Sequence, residues 1–64
     1  KILKLKAYYN LKDFDSALNV AKSMNPLNYP PNLKTSFYLT MGDIYSSKGY
    51  YDHAFKNYIF CRAS

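Results

Sequence analysis

Sixty-four residues hold one small domain, and leave no room for an enzyme core with a separate substrate domain. Nine Lys and Arg against four acidic residues give a net charge of +5. Yet the lysines are scattered, and only Lys1, Lys4 and Lys6 fall together, so the charge reads as a solvated surface and nucleic acid is not the expected partner. One cysteine and one histidine exclude an internal disulfide and a structural zinc site of Cys/His type. No apolar run nears the roughly 20 residues of a membrane span, so no membrane association is expected, and a cytoplasmic setting is.

The opening segment places Ile2, Leu5, Tyr8 and Tyr9 at helical spacing. Asp13 is a suitable N-cap for a second helix, and Asp15 sits in its first turn, where the helix dipole favours negative charge. Phe14, Ala17, Leu18, Ala21 and Met24 form that helix's apolar stripe. Residues 25–32 then carry three prolines, which cannot continue a regular helix. A third helix is expected to begin between Pro31 and Leu33, since proline suits a first helical position.

Phe37, Tyr38, Met41, Ile44 and Tyr45 give the third helix a broad apolar face. Gly42 lies inside it, at a cost of about 1 kcal/mol relative to Ala; its natural explanation is close approach of the paired helix, with Tyr38 and Tyr45 as the flanking rings. Gly49 stands where a left-handed helix cap wants glycine. A fourth helix follows, with Tyr51, Ala54, Phe55, Tyr58 and Ile59 on its stripe. The fold expected is all-α, two stacked antiparallel helix-turn-helix hairpins.

The chain also echoes itself at an offset of 37. Tyr8 falls on Tyr45, Phe14 on Tyr51, Asp15 on Asp52 and Ala17 on Ala54. Two copies of one unit therefore fill residues 1–64: the first about 1–27, the proline-rich turn 25–32, the second about 33–64. The missing initiator methionine suggests a piece of a longer protein.

The second unit resembles the tetratricopeptide repeat in Tyr38, Met41-Gly42, Tyr45, Gly49, Tyr51, Ala54, Tyr58 and Cys61. The first keeps Tyr8, Phe14 and Ala17 but has Leu5 and Lys12 at the family's glycine positions. The family period is about 34, and residues 25–32 can absorb the excess. A rival resemblance, to the RNA-binding pentatricopeptide repeats, rests on Met24, Pro31-Asn32 and Thr35, but would need insertions within a hairpin.

The first resemblance implies part of an α-solenoid superhelix, whose first helices line a groove for a peptide or partner helix. It implies groove positions at Ile2, Lys6, Tyr9 and Asn10, and at Ser36, Leu39, Asp43, Ser46 and Ser47. Of these Lys6, Tyr9, Asn10, Leu39, Asp43 and Ser46 are the candidate partner-binding residues. The carboxylate clamp of some family members is absent, because Ile2 with Lys6 and Leu39 with Asp43 stand at its positions. Two units fall short of the three or so a stable array needs, which points to a fragment of a longer array or to self-association through the open ends. A spacer, or a sensing or dimerising part of a regulator, is the other reading of the same pattern. No catalytic constellation, metal site or cofactor site is expected: Gly42 and Gly49 stand alone, Cys61 reads as buried and inert, and His53 beside Asp52 reads as exposed.

Overall fold

Each helix begins and ends where local backbone chemistry dictates. The computed structural model describes residues 2–63, so Lys1 and Ser64 lie outside the described residues. Helix α1 spans Ile2–Asn10, α2 Phe14–Lys22, α3 Pro31–Ser47 and α4 Tyr51–Ala63, with a 3₁₀ turn at Pro26–Asn28. Among the described residues there is no strand, and the fold is all-α.

Helix α1 ends in a left-handed residue, Lys12, with φ 61°. The Asp13 N–H donates to the Tyr8 carbonyl and the Lys12 N–H to that of Tyr9, both at 3.0 Å. Helix α3 ends identically one repeat later: Gly49 has φ 85°, the Tyr50 N–H donates to Tyr45 at 2.8 Å, and the Gly49 N–H to Ser46 at 3.1 Å. This pair of bonds is the Schellman motif, so the 37-residue echo extends to the hydrogen bonds that end both first helices. Glycine adopts that backbone freely, whereas lysine adopts it at a cost.

The expected caps are present. Asp13 accepts the Ser16 N–H at 3.3 Å, and Asp15 lies in the first turn of α2. In the proline segment the Asn25 side chain accepts the Leu27 N–H, and the chain straightens through Tyr29 and Pro30 until Pro31 opens α3.

Helices α3 and α4 run antiparallel: Thr35 meets Cys61 near one end, and Tyr45 meets His53 near the other. Helix α3 is the organising element, packing on α1, α2, the 3₁₀ turn and α4, whereas α4 packs on α3 alone among the described residues. The main core joins Leu5, Ala17, Met24, Phe37, Met41 and Ile44, with Leu5 and Ile44 fully buried. Thr40, buried among them, donates its hydroxyl to the Ser36 carbonyl at 2.8 Å, so it leaves no unsatisfied polar group.

Several expected core positions differ. Tyr51, Phe55 and Ile59 are exposed, because α4 has no neighbour but α3 to cover that flank, and only Ala54 of its stripe is buried. The ring on Gly42 is that of Tyr58, not Tyr38 or Tyr45. Met24 is buried as expected of the stripe, although α2 itself ends at Lys22. Tyr9 and Tyr29 are half-buried against the core. Cys61 is half-buried rather than enclosed, its thiol directed at the Thr35 carbonyl.

Candidate interaction surface

Helix α1, the start of α2 and the end of α3 meet around a depression of about 330 Å³, lined by Tyr9, Asn10, Lys12, Phe14 and Ser47. The rings of Tyr9 and Phe14 form its apolar wall, with centroids 6.1 Å apart and planes tilted by 48°. Both rings pack against the core from the other side, so the wall is pre-formed. The left-handed turn at Lys12 makes the geometry, because it folds α2 back so that Phe14 comes up beside Tyr9. Asn10, Lys12 and Ser47 are exposed around the rim and offer an amide, an ammonium and a hydroxyl. A concave site with apolar walls and a few polar groups is the usual form of a recognition pocket.

The six candidate residues separate into distinct places. Tyr9 and Asn10 share the depression. Lys6 is exposed on α1 without lining it, and Leu39 is 47% exposed on α3. Ser46 is half-buried, beside the depression in sequence but not among its lining residues. Asp43 is engaged internally: one carboxylate oxygen accepts the Tyr58 hydroxyl at 2.5 Å. The absence of a side chain on Gly42 lets the Tyr58 ring lie against the α3 backbone, and its hydroxyl then reaches the next residue. That bond, with burial second, pushes the Tyr58 phenol up to about 12.

Three features had little or no sequence signal. Lys12 and Phe14 join the depression only because the loop turns left-handed, and the spacing of Phe14 marks it simply as a residue of the α2 stripe. The Asp43–Tyr58 bond follows from the ring's contact with Gly42. Lys48 donates to Asp15 at 2.7 Å across 33 residues, a pairing that nothing local encodes; the Lys48 ammonium holds the Asp15 carboxyl below its usual range.

His53 is exposed, as expected, and stacks on Tyr45 at 5.1 Å. No group of three His, Cys, Asp or Glu that could hold a metal occurs among the described residues. No helix among them is long and apolar enough to cross a membrane. Comparison of the chain with protein families, with curated proteins and with solved structures finds no match in any of the three.

Proposed function

We propose that the chain is a non-enzymatic protein-interaction segment of tetratricopeptide type, part of an α-solenoid, that takes an extended peptide or partner helix on the face where α1 and α3 lie. The observation that carries this reading is the pre-formed depression walled by the adjoining Tyr9 and Phe14 rings, with Asn10, Lys12 and Ser47 on its rim. An aliphatic or aromatic anchor of the partner buries against the rings, and the rim donors take its backbone carbonyls or an acidic side chain. The repeated helix ending at Lys12 and Gly49 supports the repeat character. A cytoplasmic setting belongs to the same reading.

The test is a peptide selected from a random display library and titrated into the labelled chain by NMR. The amides of Tyr9, Asn10, Lys12, Phe14 and Ser47 shift, and Asn10→Ala with Ser47→Ala weakens binding about tenfold, equivalent to about 1.4 kcal/mol. Selected peptides that leave those amides unmoved, or ignore the double substitution, overturn it. Binding of RNA in their place, with a steep fall in affinity as salt rises, would favour a phosphate-driven contact.

A further inference from the structure

The repeat lets each hairpin report on the other. Phe14 and Leu18 of α2 are half-buried against the core. Their equivalents 37 residues on, Tyr51 and Phe55 of α4, are 69% and 66% exposed. Two differences account for this among the described residues: α3 lies against α2 whereas α4 packs on α3 alone, and Phe14 also meets the Tyr9 ring, for which the second unit has Ser46. Helix α1 shows the converse. On α3, Thr40 and Ile44 are buried, and Lys48 just beyond is ion-paired to Asp15. Their equivalents Leu3, Ala7 and Leu11 are exposed, Leu3 and Leu11 at 78% and 76%. The two outer stripes are thus the unfilled halves of the contact that the first hairpin makes with α3.

We propose that a second copy of this chain fills them, α1 of one copy docking on α4 of the next. Leu3, Ala7 and Leu11 then cover Tyr51 and Phe55, the equivalents of Phe14 and Leu18, and reach Ile59 one turn further along α4, where the first unit has Lys22. The chain itself carries both complementary surfaces, which is what singles out another copy as the occupant. Because the two faces differ, the contact is heterologous and repeats from copy to copy. It is also weak. Tyr51, Phe55 and Ile59 offer on the order of 400 Å² of exposed surface, about half of the ~800 Å² per partner in stable interfaces. Leu11 stands where the internal contact has Lys48, so the Asp15–Lys48 ion pair has no counterpart at Asp52. Each copy also carries +5, a repulsion that salt screens. Association therefore grows with concentration and with salt, the opposite of an attraction between charges. None of the stripe residues is among those that line the Tyr9–Phe14 depression, although Leu11 lies beside its rim, so this goes beyond the peptide site proposed above.

The experiment is sedimentation velocity of the chain, with reductant, from micromolar to about 1 mM, the range in which a contact worth about 4 kcal/mol assembles. Phe55→Asp spoils the α4 face, and Leu3→Asp with Leu11→Asp spoils the α1 face; all three positions are exposed, and Phe55→Ser and Leu3→Ser with circular dichroism guard against loss of fold. The wild-type chain is expected to grow past dimer, and each variant alone to stay monomeric. The Phe55→Asp and Leu3→Asp/Leu11→Asp chains mixed together should form a one-to-one pair and nothing larger, since each keeps one intact face. A wild-type chain monomeric throughout, growth that persists in Phe55→Asp alone, or a mixture that stays monomeric while the wild type associates, overturns the proposal. A chain monomeric in this assay that still binds a peptide at Tyr9 and Phe14 refutes the stacking and leaves the peptide site standing.

Discussion

Gly42→Ala sets two effects of opposite sign against each other. Alanine favours a helix interior over glycine by about 1 kcal/mol. But a β-carbon on residue 42 would lie 2.5 Å from Cε1 of Tyr58, 2.7 Å from Cδ1 and 2.9 Å from Cζ. Carbon atoms at their best separation are about 3.5–4.0 Å apart, so the ring must retreat by about 1 Å. It cannot do so freely, because its hydroxyl is bonded to Asp43 on the helix it would be leaving. Overpacking of this kind costs about 1–3 kcal/mol, and the weakened bond to a charged acceptor adds to that, discounted because the phenol is only half-buried. The net expectation is a loss of about 1–2 kcal/mol, or roughly 4–8 °C in Tm for each kcal/mol in a domain of this size. Thermal unfolding by circular dichroism measures it, and a double-mutant cycle isolates the cause. With Tyr58→Ala in place the ring is gone, and Gly42→Ala should then stabilise by about 1 kcal/mol. The reasoning fails if Gly42→Ala stabilises the wild-type chain, or if its cost persists without the ring.

Three further expectations follow from the caps and the polar pairs. Lys12→Gly relieves a left-handed lysine and should stabilise by about 1 kcal/mol, while Gly49→Ala should cost about as much; equal effects at the two sites in the same direction would contradict the shared helix ending. Tyr58 has a folded pKa raised from 10.0 to about 12, so its contribution is complete below pH 10 and lost as pH rises through 12. Absorbance titration should therefore show a phenolate component near 12 that vanishes in Tyr58→Phe, a substitution that itself costs about 1 kcal/mol at neutral pH. Asp15→Asn breaks the bond to Lys48. Because Lys48 lowers the Asp15 pKa, that stability is present above the unfolded carboxylate pKa and lost as pH falls through the folded one. The gap in Tm between Asp15→Asn and wild type should close in acid and also near 1 M salt, where charges are screened within about 3 Å.

What could be read from the sequence was what the backbone decides locally. Asp13 caps because its carboxylate reaches an otherwise unbonded N–H, the prolines end one helix and open the next, and Gly49 turns left-handed. Gly42 also announced a close approach, since a glycine inside a helix needs a packing reason. It did not say which ring would come, because Tyr38, Tyr45 and Tyr58 share the same type and period, and only the crossing of α3 and α4 selects Tyr58. Exposure on α4 was misread for a related reason. Periodicity shows that Tyr51, Phe55 and Ile59 share a face, and burial of that face depends on a neighbour the periodicity cannot supply. At the depression, Tyr9 and Asn10 were legible from the repeat, whereas Lys12 and Phe14 enter through a left-handed lysine that composition gives no reason to expect. The internal bond of Asp43 was not legible, because its hydrogen-bond partner lies 15 residues away on another helix.

The unequal support of the four helices leads to a last expectation, about the order in which the molecule opens. Helix α3 contributes Phe37, Thr40, Met41 and Ile44 to the buried set and touches every other element, whereas among the described residues α4 buries only Ala54 and packs on α3 alone. The contacts that hold α4 include the Tyr58 ring on Gly42, the bond from Tyr58 to Asp43, the stacking of Tyr45 on His53, the tilted pairing of Tyr38 with Phe60 and the Cys61 thiol on the Thr35 carbonyl. At 13 residues it is near the length at which an isolated helix is marginal in water, so once detached it does not persist. Most of its large side chains already face solvent, so its leaving uncovers chiefly the α3 face around Gly42. Native-state hydrogen exchange should therefore show the amides of Phe55 to Ile59 opening a few kcal/mol below those of Met41 to Ile44, as a separate cooperative unit. Gly42→Ala should lower the first set and leave the second nearly unmoved. Equal exchange free energies for the two sets would mean that α4 unfolds only with the whole chain, and that the Gly42–Tyr58 contact holds the second hairpin as firmly as the core holds the first.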